Sequence, residues 1–303
     1  MRAGATTFHD DGPVATLISD GRRLHLQHGP IDLIIEAEGS REEVLAAYRQ
    51  ARDRFRTILV ELVDELATLR RGVDQDTALQ GAVAHRMKAA AIPFADDFIT
   101  PMAAVAGAVA DEVLASLIAG RKLSRAFVNN GGDIALHLAR GEQYVAALVT
   151  DPIEGRVAGR ATIMAEHPVR GIATSGRHGR SHSLGIADAV TVLARNAADA
   201  DAAATMIANA VDLPNSAKID RTPARALTPD SDLGDQLVTT AVLDLDNAEI
   251  DEALETGYRY AIKAIDSGLI EAAFLALEGS TRVLGDAMDQ ARIEFEPELE
   301  TMG

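Results

Sequence analysis

Three short segments of the chain carry residue types and spacings suited to chemistry. Residues 128–134 run Val128-Asn129-Asn130-Gly131-Gly132-Asp133-Ile134. Asn-Gly and Gly-Gly are what a tight hairpin takes at positive φ. The same bare backbone lets a ligand approach closely, with Asn130 and Asp133 flanking Gly131 and Gly132 as polar contacts. Residues 171–183 hold Thr174, Ser175, Gly176, Arg177, Arg180, His182 and Ser183. Glycines let N–H groups converge on an anion, hydroxyls add donors, and Arg177 and Arg180 add charge and bidentate geometry. That is the set a phosphate or pyrophosphate needs, although an exposed polar loop has the same composition. Residues 200–205 run Ala200-Asp201-Ala202-Ala203-Ala204-Thr205. Asp201 and Thr205 stand at i and i+4, on one helix face. A carboxylate and a hydroxyl aimed at one point are hard oxygen ligands that Mg²⁺ accepts, with water and phosphate oxygens filling its other positions. A solvated helix surface produces the same pair.

The remaining candidates are weaker. His25, His28, His137, His167 and His178 lack metal-ligand spacing, and Lys88 reads as part of a solvated face. There is no P-loop and no Gly-x-Ser-x-Gly elbow, and residues 171–176 lack the spacing of a dinucleotide fingerprint. The absence of cysteine excludes a disulfide scaffold, thiolate metal sites and a Cys nucleophile. With 46 acidic and 29 basic side chains the net charge is -17, which argues against nucleic acid and against anionic membrane surfaces as general partners. That excess is local. Residues 226–258 hold nine acidic and no basic side chains, and residues 285–303 hold six and one. Residues 101–225, which contain all three segments, hold 12 acidic and 13 basic, so this middle stretch is not hostile to an anionic ligand. No run of 18 apolar residues is evident, so no membrane span is expected. Residues 1–13 lack the apolar region of a signal peptide. The expectation is a cytoplasmic protein.

The elements that must position these residues follow from periodicity. Residues 14–19, 22–28 and 31–36, split by Asp20-Gly21 and Gly29-Pro30, predict a β-meander. Ser40 with Glu43 predicts a capping box. It heads a helix of about 30 residues whose apolar positions, from Val44 to Leu69, recur at three- and four-residue steps. A second helix is expected over 77–91. A third is expected over 101–119, with Thr100 as N-cap, Pro101 in the first turn and Gly120 as the stop. Its small residues, Ala103 to Ala110, suit close packing on a sheet, approach to a ligand, or contact with a second copy of the chain. Strands are expected over 125–129, 134–137, 143–150, 156–165, 171–174, 188–194, 236–246 and 273–278, with helices over 197–211 and 247–267 and a loop over 214–229. Strands in runs as well as alternating with helices favour α+β. The division expected is a tail to residue 13, one domain over 14–284 and an acidic tail over 285–303.

Taken in order, Asn129-Asn130-Gly131-Gly132-Asp133-Ile134, Ala173-Thr174-Ser175-Gly176 and Ala200-Asp201-Ala202-Ala203-Ala204-Thr205 resemble the ApbE superfamily of FAD:protein FMN transferases. The strings over 98–111 and 183–194 are closer still to an uncharacterised ApbE-like family within it, over roughly residues 24–283. The resemblance implies a T-fold-like α+β architecture, mixed sheet layers packed by long helices. It also implies a flavin nucleotide, FAD, as ligand or substrate, Mg²⁺ at the pyrophosphate, and transfer of FMN to a Thr or Ser of a protein partner. By the same resemblance Asp201 and Thr205 match metal ligands, a backbone carbonyl near residues 103–107 completes the metal site, and His182 falls where the transferases carry a His, a base for the target hydroxyl. The transferases have a Lys where this chain has Ala106, and their N-terminal flavin-binding segments have no clear counterpart here. The alternative is a non-catalytic nucleotide binder or a structural protein.

Overall fold

The strand over residues 31–39 sets the pattern for the whole sheet. Ile31, Leu33, Ile35 and Ala37 are buried, and the residues between them are partly exposed, the period of two of a sheet with one face on a core. The computed structural model describes residues 12–19, 21–151, 156–179 and 181–285. The strands are β1 (Val14–Ile18), β2 (Arg23–His28), β3 (Ile31–Gly39), β4 (Leu123–Asn130), β5 (Asp133–Leu138), β6 (Gln143–Asp151), β7 (Arg156–Met164), β8 (Gly171–Ser175), β9 (Ala189–Ala194), β10 (Ile219–Pro223), β11 (Leu237–Val242), β12 (Ala272–Leu277) and β13 (Ser280–Leu284). The helices are α1 (Arg41–Leu69), α2 (Ala82–Ala91), α3 (Val105–Ile118), α4 (Ala197–Ala210), the short α5 (Ala224–Leu227) and α6 (Asn247–Asp266).

Nine strands form one sheet in the order β1-β2-β3-β4-β5-β8-β9-β12-β13, and the neighbours in it pair antiparallel. The main core lies between this sheet and α1, α2, α3, α4 and α6. A second core lies on the other face, where the β6–β7 ribbon packs Leu148, Ala161 and Ile163 over Leu136, Ile172, Leu193 and Phe274. β9 and β12 are buried at every residue because both of their faces are covered, which is why they read as continuous apolar runs rather than as alternating ones.

The architecture is the expected α+β one, with local differences. Ser40 accepts the Glu43 N–H at 3.3 Å, but the Glu43 carboxylate accepts the Lys122 N–H at 2.9 Å, so only half of the capping box forms. The helix expected over 101–119 is a 3₁₀ turn, Pro101–Ala104, followed by α3. Thr100 makes no cap bond; its hydroxyl donates to Asp232 at 2.5 Å. The stretch Pro101–Ile118 is long and apolar enough, by length and composition alone, to cross a membrane, contrary to the expectation, yet more than half of it is buried in the protein. Gly107 of this stretch packs against α4 and Ala104, Ala108 and Ala110 are buried, while Ala103 and Ala106 stay partly exposed. The expected loop over 214–229 instead contains β10, paired with β11, and α5. Arg180, Asp20 and the acidic tail beyond Gly285 lie outside the described residues.

Candidate functional site

β4 ends at Asn130 and β5 begins at Asp133, directly opposite each other in register. Between them Gly131 and Gly132 have φ of +68° and +118°, and the Gly132 N–H donates to Asn129 Oδ1 at 2.8 Å. The tight hairpin is therefore real, and it also serves to aim side chains. Opposed residues share a sheet face, and Ala126, Val128 and Ala135 place that face against the helices. Asn130 and Asp133 thus point at α3 and α4, and Asn130 Nδ2 donates to the Ala106 carbonyl at 3.1 Å.

α4 is brought close by removing side chains. A Cβ on Gly107 of α3 would lie 2.2 Å from the Ala197 carbonyl oxygen, one on Gly171 of β8 would lie 2.0 Å from the Asn196 carbonyl carbon, and one on Gly185 would lie 2.2 Å from the Ala208 oxygen. The helix itself is mostly alanine on its buried faces. At this range the backbone of α3 and the side chains of α4 exchange hydrogen bonds. The Gly107 N–H donates to Asp201 Oδ2 at 2.9 Å, and the Ala106 N–H also supports that carboxylate. Thr205 follows one turn later and is partly buried.

Asp133 and Asp201 form the electrostatic centre of this group. Burial first, and then the charge of Asp201, hold Asp133 well above the ordinary carboxylate range, against the N–H of Thr174, which its carboxylate accepts. Asp133 Oδ1 is buried with no hydrogen-bond partner. Burial pushes Asp201 up to about 7, with the charge of Asp111 adding to the rise and the N–H groups of Gly107 and Ala106 opposing it. Two desolvated carboxylates with raised pKa values, one raised further by the charge of the other and left with an unpartnered oxygen, are what a divalent cation or a shared proton relieves. Among the described residues no three of His, Cys, Asp or Glu are grouped to hold a metal ion. A cation here would take carboxylate and hydroxyl oxygens, with carbonyl, water and phosphate oxygens for the rest. That donor set suits Mg²⁺ and not a soft metal.

The glycine-rich loop behaves differently from its composition. β8 alternates, with Ile172 on the ribbon side and Ala173 on the helix side. Thr174 therefore faces the ribbon, where its hydroxyl pairs with Thr191 at 2.8 Å, and Ser175 stands on the helix side. Gly176 is required because a Cβ there would lie 2.3 Å from the Asp188 carbonyl oxygen. The Arg177 guanidinium is taken by Asp188 at 2.7 Å and Glu278 at 2.6 Å, so it fastens the loop to the start of β9 and to the β12–β13 turn. The half-buried His182 pairs through Nε2 with Thr228 Oγ1 at 2.9 Å, not with Asp133 or Asp201. Arg180 lies outside the described residues.

Sequence reasoning missed one residue bonded into this group of elements, Asp111. It is buried at 8% exposure, and its two oxygens accept the N–H groups of Ala197 and Ala198 at 3.0 and 2.9 Å. The available signal was a carboxylate one turn after Gly107, on the face of α3 that carries its glycine and alanines.

Several known proteins are similar to this chain. It is 43% identical over 136 residues to a UPF0280 protein of Methanopyrus kandleri, covering 43% of this chain and 51% of that protein. It is 38% identical over 112 residues to a UPF0280 protein of Methanobrevibacter smithii, covering 37% and 46%. The chain thus spans about half the length of these curated relatives. Among solved structures, the apo flavinyl transferase ApbE of Pseudomonas stutzeri aligns with a TM-score of 0.46 at 13% identity, covering 86% of this chain and 92% of that one. The flavin transferase ApbE of Vibrio cholerae aligns with a TM-score of 0.44 at 11% identity, covering 92% and 100%. The family described as AbpE bacteria matches residues 15–283, nearly all of the sheet and the helices just described, and the chain belongs to that family.

Proposed function

We propose that the Asp133–Asp201 group binds a flavin nucleotide of the FAD class together with Mg²⁺. The observation that carries this reading is a pair of desolvated carboxylates, Asp133 raised by burial and by the charge of Asp201, with Asp133 Oδ1 buried and unpartnered. Mg²⁺ would supply charge neutralisation at a pyrophosphate, the main requirement of phosphoryl transfer. Asp201 and Thr205 present oxygens from one face of α4. Asp133 presents a second carboxylate from β5, and Asn130 braces the first turn of α3 through Ala106. Ser175 and the Gly176 turn border the same sheet end.

The reaction this site would support is FMN transfer. A target Thr or Ser hydroxyl forms a phosphoester bond to FMN, the FAD pyrophosphate bond breaks, AMP leaves, and His182 takes the hydroxyl proton. A second reading, nucleotide binding without turnover, is favoured by Ala106 in place of the transferases' Lys and by the engagement of Arg177 with Asp188 and Glu278.

Calorimetric titration of FAD with and without Mg²⁺ tests the binding. Binding should require Mg²⁺, vanish in Asp201→Asn and Asp133→Asn, and persist in Thr174→Ala. Binding that ignores both Mg²⁺ and Asp201 rules the reading out. Mass spectrometry of a Thr-containing peptide incubated with protein, FAD and Mg²⁺ separates the two versions: transfer adds FMN to the peptide, and His182→Gln removes that product while leaving FAD affinity intact.

A further inference from the structure

The first turns of α3 and α4 cap each other. At the start of α4 the N–H groups of Ala197 and Ala198 donate to Asp111 Oδ1 and Oδ2 at 3.0 and 2.9 Å, and the Asp199 N–H donates to Asn196 Oδ1 at 2.8 Å. In the opposite direction the Gly107 N–H in the first turn of α3 donates to Asp201 Oδ2 at 2.9 Å, and the Ala106 N–H supports the same carboxylate. Each aspartate sits inside its own helix and satisfies the orphan donors of the other. No side chain separates the two turns, since even a Cβ on Gly107 would lie 2.2 Å from the Ala197 oxygen. The α4 N-terminus is a ready anion site in principle, but Asp111 already fills it with a carboxylate of this chain.

We infer that Asp111 is a positioning residue: by clasping the first turn of α4 it fixes where Asp201 and Thr205 present their oxygens, and through Asp201 it also holds the first turn of α3. The clasp stands on the hydrogen bonds alone; its consequence for a cation rests on the reading of Asp201 and Thr205 as ligands given above. An α-helix rises about 1.5 Å per residue, so Asp201 and Thr205 follow Ala197 by one and two turns and move with the turn that Asp111 holds. Asp111 is suited to the task because its carboxylate is buried, and because both oxygens accept, which a neutral amide cannot match.

The test is amide hydrogen exchange together with Mn²⁺ affinity, at pH 7.5, on wild type, Asp111→Asn and Leu148→Ala. Leu148 lies in the second core on the other face of the sheet, so its truncation controls for lost stability. Asp111→Asn should speed exchange at Ala197 and Ala198 by about tenfold, the scale of one lost charged hydrogen bond. It should also speed exchange at Ala106 and Gly107, whose N–H groups turn to Asp201 and not to the Asp111 carboxylate. Mn²⁺ affinity should fall at least ~10-fold, as when a residue orienting a ligand is lost. Leu148→Ala should leave the affinity unchanged and speed these amides no more than the rest of the helix-side core, since it lowers stability without loosening the two turns. If Asp111→Asn frees only Ala197 and Ala198, leaving Gly107 and the affinity as in wild type, the positioning role is overturned. If Gly107 follows Asp111 but wild type binds no Mn²⁺, the clasp stands and the proposed function fails. Should Asp111→Asn not fold, Asp111→Glu keeps both acceptors but shifts them by a methylene. It should hold the amides yet weaken Mn²⁺ binding, and unchanged affinity there overturns the role as well.

Discussion

Asp111 accepts two N–H bonds, yet burial pushes its pKa from 3.8 up to about 6. Desolvation therefore outweighs the bonds and the attraction of Arg86, and ionising this side chain inside the protein costs free energy. The sign follows from linkage. A folded pKa above the unfolded one means that the folded state holds more protons between about pH 4 and 6. The group's contribution is thus most favourable at and below pH 4, declines as pH rises through that window, and is constant above it. One proton sets a ceiling of about 1.4 kcal/mol per pH unit. Urea denaturation of wild type and Asp111→Asn at half-unit steps from pH 4 to 8 should give a wild-type curve that falls relative to the variant up to about pH 6 and runs parallel beyond it. Parallel curves throughout would show that Asp111 keeps its ordinary pKa. At this scale the sequence was partly legible. Asp201 with Thr205 could be read from helical spacing, and Asn130 with Asp133 from the hairpin that sets them opposite each other. The partners of Thr174 and Arg177 could not be read, because Thr191, Asp188 and Glu278 are brought to them by strand register and not by proximity in the chain.

The central element is α4, and what defines it is the absence of side chains around it. In α3, Gly107→Ala would gain about 1 kcal/mol of helix propensity. It would also set a Cβ 2.2 Å from the Ala197 oxygen. Backbone on both sides cannot yield as a flexible side chain would, so the clash wins, at about 1–3 kcal/mol or more. For a domain of this size that lowers Tm by at least ~2–4 °C. Gly72→Ala, with open space around its Cβ, should leave Tm within about 1 °C if surface changes are near neutral. A higher Tm for Gly107→Ala would mean that the two helices do not touch there. Long periodic elements were readable from sequence, α1 from its apolar repeat and α6 almost to the residue. β10 was not, because Ile219–Pro223 has little apolar pattern of its own and exists as a strand by pairing with β11. The Asp246–Glu249 capping box that starts α6 was present in the sequence and went unread, whereas Ser40 and Glu43 had the same pattern and formed half of it. A cap motif states what a residue is able to do, and tertiary partners such as Lys122 decide whether it does so.

At the scale of the whole molecule, one sheet separates two cores of unequal size, and the proposed site touches only one of them. The helix-side core contains α3 and α4 with the buried Asp111, and the partly buried Asp133 and Asp201 stand on the same side. The ribbon-side core contains Leu148, Ile163 and Phe274. They are not independent folding units, because β9 and β12 supply residues to both, alternating Val190 and Val192 with Ala189 and Leu193. Damage to the ribbon should therefore lower the stability of the entire chain without moving the site. Leu148 is fully buried, so Leu148→Ala should cost about 2–5 kcal/mol for transfer and cavity together. In urea this should appear as one transition with a lower midpoint and an unchanged m-value, since the surface exposed on unfolding stays the same. Binding of Mg²⁺ and FAD below that midpoint should match wild type. An early separate transition confined to the Phe127–Tyr144 aromatic pair, followed through tyrosine fluorescence, would instead mean that the ribbon unfolds alone. The shared strands β9 and β12 would then not couple the two faces.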